Sequence, residues 1–355
     1  MSAGRVLSLD IGKSNMHLVI GSSKGGMIDV EAAFSLPTPS GSIKEGVISD
    51  RNAIVMALNE FGKTYVKFPK KAIVTVKSTS IITRELTIPE VPQVDIMPLV
   101  LLDMEQYLPN ISKDYRTGII NLDTVKGPTG NMIKLRVFAV PKTLIEEYEN
   151  LLKDCKMKPL VLDIQVNAVN KLVQRTYVTN KDKTKGWNWN QAAFVDLGYE
   201  ITEINIFSSE QLLFTRQIPF GSNFMDSELV NRIGISEGAL IVKKQEYIDL
   251  ARNEFVNEEA RQVNEVARNY VNRIKNEIQT VIQFYSGRVA EKRPEIIYLY
   301  GGNAHNRNIA EVLEDSIGIP IRILNDCPDI HSIDKHGQFD LMTYLTASAA
   351  IFRND

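Results

Sequence analysis

Residues 6–23 read VLSLDIGKSNMHLVIGSS, and residues 192–209 read AAFVDLGYEITEINIFSS. A shift of 186 lays Asp10 on Asp196, Gly12 on Gly198, Leu18 on Ile204 and Ile20 on Ile206. Each copy runs from an apolar strand through Asp-x-Gly into a strand that alternates apolar and polar residues. That pattern predicts a β-hairpin. Two copies half a chain apart predict two related lobes facing each other, not the short-period array of a solenoid.

The chain is 355 residues long, enough for two apolar cores. Lys and Arg number 41 against 43 Asp and Glu, so a formal charge of −2 offers no general attraction for nucleic acid. Cys155 and Cys327 are the only cysteines, too few and too widely spaced for a disulfide framework or a zinc site. The opening MSAGRVLSLDIG has no long apolar stretch after its arginine, and no later run approaches the ~18–20 residues of a membrane helix. The expectation is a cytoplasmic protein without direct membrane insertion.

Between the two hairpins the patterning changes. Residues 73–92 alternate as strands, residues 93–109 follow a helical period interrupted by Pro98, and residues 116–140 read as a hairpin turning at Lys126–Gly130. Leu144, Tyr148, Leu151 and Leu152 mark an amphipathic helix over 142–155. Residues 178–190, polar and basic with Gly186, read as a loop between lobes, with Trp187 and Trp189 packed at its edge. Val263, Val266, Tyr270, Ile274, Ile278, Val281, Ile282 and Tyr285 predict core-facing helix within 253–290. The expected division is a first-lobe core over 1–77 and an inserted α+β subdomain over 78–158. First lobe and linker continue over 159–190. A second-lobe core follows over 191–230, a helical insertion over 231–285, the rest of that lobe over 286–325, and a return to the first lobe over 326–355.

Three motifs could carry chemistry. In Asp10-Ile-Gly12-Lys13-Ser14-Asn15 a tip glycine lets backbone N–H groups approach an anion, and the side chains of Ser14 and Asn15 add donors. The Asp10 carboxylate at a strand end suits a hydrated Mg²⁺. Asp196-Leu-Gly198-Tyr199-Glu200-Ile201-Thr202 repeats the arrangement. Either stretch alone reads first as a plain glycine turn, whereas the pair could clamp a phosphate chain. Ile296–Tyr300 runs into Gly301-Gly302-Asn303 and then a helix, a nucleotide-contact geometry that plain packing also produces.

In this order the three resemble the phosphate-1, phosphate-2 and adenosine motifs of the actin/Hsp70/hexokinase superfamily. The resemblance implies an α/β, two-lobed, actin-like (ribonuclease H-like) ATPase fold. The insertion within the first lobe is similar to that of FtsA and of the PilM family of type IV pilus assembly. IITRELTIP at 81–89, MEQYLP at 104–109, FAVPKTLIEEYENLLKDC at 138–155, VLDIQVNAV at 161–169, RQIPF at 216–220 and NEIQTVIQFY at 276–285 resemble PilM segments in order, as does the closing LMTYLTASAAIF. The resemblance spans essentially the whole chain.

It implies ATP in the cleft with Mg²⁺. Gly12, Lys13, Ser14, Asn15, Gly198, Thr202, Lys243, Gly301, Gly302 and Asn303 would surround the nucleotide. Asp10 and Asp196 would reach the metal largely through water, and Gln165 would orient an attacking water or else simply cap the helix that follows it. It also implies a groove near the inserted subdomain for the N-terminal cytoplasmic peptide of the membrane protein PilN. The pilus motor ATPases and the PilC platform protein become candidate neighbours, a homodimer a candidate assembly, and the inner face of the cell membrane the location, reached through partners.

The chain departs from the superfamily pattern at several positions. His17 stands where a phosphate-binding Lys is common, and Lys13 is either its substitute or simply solvated. Tyr199, Glu200 and Ile201 replace small and hydroxyl residues, placing bulk and negative charge near the expected phosphates. Leu240 replaces an expected ribose acceptor in the element ending at Lys243. These changes favour a scaffold with a reduced nucleotide site. The rivals are an active ATPase or small-molecule kinase, and a filament former like FtsA or ParM.

Overall fold

The computed structural model describes residues 4–65, 67–128, 130–179, 187, 189–208, 211–288, 293–334 and 337–352. The first lobe opens with β1 (Val6–Ile11), β2 (Asn15–Lys24), β3 (Met27–Pro37), the short pair β4 (Ile43–Lys44) and β5 (Val47–Ile48), α1 (Arg51–Thr64) and β6 (Lys71–Val76). The insertion supplies β7 (Ile82–Pro89), α2 (Gln93–Glu105), α3 (Ile111–Asp114), β8 (Tyr115–Gly127) and β9 (Gly130–Pro141). Then come α4 (Lys142–Asp154), β10 (Lys158–Ile164) and α5 (Gln165–Thr179).

The second lobe contains β11 (Gln191–Leu197), β12 (Thr202–Ser208), β13 (Leu212–Ile218), α6 (Asn223–Glu228), α7 (Leu240–Tyr247), α8 (Glu258–Arg288), β14 (Ile296–Tyr300), α9 (Ile309–Ile317) and β15 (Ile321–Ile323). β16 (Ile330–Ser332) and α10 (Leu341–Ala349) follow.

The two large sheets share one plan. The first has the order β10-β6-β1-β2-β3-β16 and the second β13-β12-β11-β14-β15. In each, an antiparallel meander of three strands is flanked by two parallel strands. The repeated Asp-x-Gly hairpins are therefore the same element of each sheet. β16 adds a sixth strand, parallel to β3, on the outer edge of the first sheet only. α10 packs on β1, β2 and α5 of the first lobe.

Both central strands are buried from end to end, which is why they read as continuous apolar runs. α8 is one 31-residue helix. Its eight expected apolar positions are all buried in the second-lobe core. Pro98 does not break α2, because Ile96, Val100 and Met104 still form a buried stripe on either side of it. Of the joining segment expected at 178–190, residues 180–186 and 188 lie outside the described residues. Trp187 and Trp189 are buried against Phe194, and Trp187 stacks on Tyr298 with centroids 5.9 Å apart.

The inserted sheet, ordered β7-β9-β8, has its own core with α2. α4 was read from the sequence as part of the insertion, but its buried face, Leu144, Tyr148, Leu151 and Leu152, joins the first-lobe core. The fully buried Arg136 on β9 ties the insertion to the second lobe. Its guanidinium donates to the carbonyls of Leu212 (2.9 Å) and Leu213 (2.7 Å) and pairs with Glu85 (2.5 Å).

Glu85 is half exposed, so the ion pair itself adds little; the two buried carbonyls are what Arg136 satisfies. Arg136→Leu removes their donors, and urea unfolding should register a loss of about 2–4 kcal/mol. A variant within ~0.5 kcal/mol of wild type would show that this contact is dispensable.

Candidate functional site

Strand register builds the site before any loop contributes. Across the first sheet Asp163, Thr75, Asp10, His17 and Ser35 are lateral neighbours. Across the second, Gln217, Glu203, Asp196 and Tyr300 are. Lateral neighbours point to one face, so each sheet carries a polar row inside an otherwise apolar layer. Parts of both rows border a cleft of about 620 Å³ between the lobes.

Of the residues expected from sequence, Asp10, Gly12, Lys13, Ser14, Asn15, Gln165, Asp196, Gly198, Gly301, Gly302 and Asn303 all line this cleft. The first turn closes through the Gly12 N–H donating to the Asn15 carbonyl (2.9 Å) and the Thr38 hydroxyl donating to the Gly12 carbonyl (2.7 Å). Lys13 is neither free nor over the cleft centre; its ammonium donates to the Ile43 carbonyl at 2.7 Å. Asn303 donates to the carbonyls of Leu197 (3.0 Å) and Gly198 (3.2 Å), fixing the second turn. Gly301 has φ +88°, and a Cβ there would collide with the Asp196 carboxylate. Glycine lets β14 end directly against that acid.

Two expected residues fall elsewhere. Thr202 is buried and donates its hydroxyl to the Phe220 carbonyl (2.7 Å), so it fastens the hairpin and does not face the cleft. Lys243 pairs with Glu259 (2.7 Å), away from the cleft. On α7 the cleft side is Ile241, Lys244 and Gln245, because the helical period turns position 243 off that face. Lys244 is itself held by Asp226 at 2.7 Å.

The residue sequence reasoning missed is Lys77. It follows β6 two places after Thr75, the neighbour of Asp10, so it points the same way. Its ammonium forms an ion pair with Asp196 of the other lobe. A lysine closing a buried strand beside the Asp10 strand was the available signal. Burial disfavours its charge, but Asp196, Glu203 and Asp10 together outweigh burial and hold its pKa above the usual lysine value.

Burial pushes Asp10 up to about 6, with Asp196 adding to the rise and Lys77 and Gln165 opposing it. Burial likewise raises Glu203 and Tyr300. His17 is pushed down to about 4 by burial, so it is neutral at pH 7 and supplies no phosphate charge, as expected. Glu200 lines the cleft and accepts the Glu45 backbone N–H (3.0 Å), a second link between the lobes. Gln165 donates to Asp10 at 2.6 Å, and its buried carbonyl oxygen has no partner. That oxygen is closed off from solvent, so a donor reaches it only if the cleft wall shifts.

The cleft fits a nucleotide: its volume is that of a small-molecule site, glycine backbone lines it at both turns and after β14, and the Gln165 oxygen awaits a donor. A divalent metal held by the protein fits less well. Asp196 is already paired with Lys77. Among the described residues no group of three His, Cys, Asp or Glu side chains could hold an ion.

Two lobes on one strand plan, with matching Asp-x-Gly hairpins meeting in a cleft, define a two-lobed protein of the actin-like ATPase fold. The family model described as type IV pilus assembly protein PilM matches residues 8–349. The chain belongs to that family, and is an actin-like protein of type IV pilus assembly. It is similar to a chain in the solved PilM–PilN type IV pilus biogenesis complex, with 19% identity, coverage of 98% of this chain and 96% of that one, and a TM-score of 0.77. It is also similar to the ethanolamine utilization protein EutJ from Carboxydothermus hydrogenoformans, at 12% identity, 99% and 90% coverage and a TM-score of 0.57. No described helix is long and apolar enough to cross a membrane.

The Asp10 shift makes a prediction about pH. Its carboxyl ionises near 3.8 when unfolded and near 6 when folded. The folded state thus binds this proton more tightly; the stability it contributes is full below about pH 4 and lost as pH rises through 6. Asp10→Asn removes that loss. In EDTA at pH 8 the variant should be about 1–3 kcal/mol more stable than wild type, with the advantage gone at pH 4. Thermal unfolding at the two pH values measures it, and a less stable variant at pH 8 would contradict the shift.

Proposed function

We propose that the protein is a scaffold of type IV pilus assembly that holds the N-terminal cytoplasmic peptide of a PilN-type membrane protein, with ATP binding in the inter-lobe cleft as a weak regulator. The observation that carries this reading is a second cavity, of about 600 Å³. One wall is β7, with Thr83, Arg84 and Glu85; the opposite wall is β13, with Phe214, Thr215, Arg216 and Gln217. Both are edge strands of their sheets. An edge strand presents unpaired backbone groups that an extended peptide can satisfy, while alternate side chains enter pockets. Phe214 and Phe284 supply an apolar anchor and Arg84, Glu85 and Arg216 supply charge. The similarity to a chain from a PilM–PilN complex points to the same class of partner. Such a partner would bring the protein to the inner face of the membrane.

ATP would enter the first cleft with Mg²⁺ carried on its own phosphates, in keeping with the habit of that ion. The phosphates must then prise Lys77 from Asp196. Separating a buried pair costs about 3 kcal/mol, which weakens binding by about a hundredfold. Gln165 lines both cavities, so a nucleotide that engages it adjoins the peptide site.

The experiment is a calorimetric titration of the synthetic N-terminal peptide of the PilN encoded by the same organism. Saturable binding to wild type, weakened at least about tenfold by Phe214→Ala, is the expected result. Equal affinity for a scrambled peptide would end the reading. For the nucleotide, Gly301→Ala should abolish ATP binding, because the added Cβ displaces Asp196. Unchanged ATP affinity in that variant would place ATP elsewhere.

A further inference from the structure

The environment of Lys77 raises a question that neither cavity answers. Asp10 (9% exposed), Asp196 (6%) and Glu203 (1%) are three buried carboxylates around one ammonium. Buried like charges repel, and each has lost its hydration. A cation among them offsets that repulsion; protonation, toward which burial pushes Asp10 and Glu203, is the alternative. A divalent ion reaching Asp10 and Asp196 is the expectation from sequence. In this chain the position is filled from within.

The filling is built in, not incidental. The Lys77 side chain is only 14% exposed. Its ammonium lies 3.5 Å from the Ile201 carbonyl, and a Cβ on Gly198 would come within 3.2 Å of it, so the charge sits inside the second turn. The backbone of Lys77 is fixed from the other side. Gly46 has φ +78°, and a Cβ there would strike the Lys77 carbonyl. The neighbouring Glu45 takes a hydrogen bond from Thr79 (2.7 Å) and gives its own N–H to Glu200 across the cleft. First-lobe backbone and second-lobe acids thus converge on one side chain.

We infer that Lys77 is a resident counter-cation that stands in place of a divalent metal in the ligand-free cleft and holds the two lobes together through Asp196. A metal ion would bridge the lobes by ligation and leave on chelation. An ammonium on β6 bridges them by an ion pair and cannot leave. The ligand-free protein is therefore closed and indifferent to chelators. This holds whether or not ATP binds, so it stands apart from the nucleotide reading above.

The test uses Mn²⁺ as the probe, on the full-length chain without nucleotide. Wild type should melt at the same temperature, within about 1 °C, in EDTA and in 1 mM Mn²⁺. Lys77→Met leaves three carboxylates without their cation. It should melt at least about 5 °C lower than wild type, in EDTA and in Mn²⁺ alike, because the three carboxylates are not arranged to hold an ion in its place. Lys77→Arg keeps the charge and should stay insensitive to Mn²⁺; this variant and the wild-type titration decide the matter if Lys77→Met does not fold. Stoichiometric Mn²⁺ binding to wild type that Asp196→Asn abolishes would overturn the inference. So would a Lys77→Met protein that melts like wild type.

Discussion

Carboxylates buried at the ends of central strands repel one another and stand together only with a cation beside them or a proton on one of them, and this constraint organises the molecule. Asp10 and Asp196 are placed by strand register, not by loops, so neither can shift within its own sheet when charge accumulates. Lys77 resolves the conflict for Asp196 directly and for Glu203 and Asp10 through space. Around that ion pair the remaining contacts fall into order. Gly301 and Asn303 hold the second turn in place, and Glu200 hooks onto the first lobe.

Much of this was legible in the sequence because a repeated motif carries its own geometry. Once Asp10 and Asp196 align, the hairpins, the shared strand plan and the facing lobes follow. The glycine pair after β14 was legible for the same reason, since only a residue without a Cβ lets a strand end against a carboxylate. Lys77 was not, because its meaning depends on which strand lies beside β6, and lateral pairing leaves little trace in local periodicity. Thr202 and Lys243 were misplaced for a related reason. The side-chain direction was settled by one step of a strand and one step of a helix. The allegiance of α4 was likewise invisible, since an amphipathic helix does not say which core its apolar face will join.

The two cavities share a wall. Gln165 at the start of α5 lines both, giving its amide to Asp10 on one side and bordering the β7–β13 space on the other. Arg136 completes that wall by pinning the insertion to the start of β13. The edge strands that face the second cavity are therefore held at a fixed separation by buried polar contacts. A partner entering there meets a slot whose width the core has already set.

The path of the chain between the lobes has a mechanical consequence. It crosses once between α5 and β11 and returns once between β15 and β16, so the second lobe hangs from the first by two connections. A body held by one thread can swing in any direction; one held by two rotates easily only about the line that joins them. Any motion between the lobes is thereby narrowed toward a single axis, and it must break two contacts, Lys77 with Asp196 and Arg136 with β13.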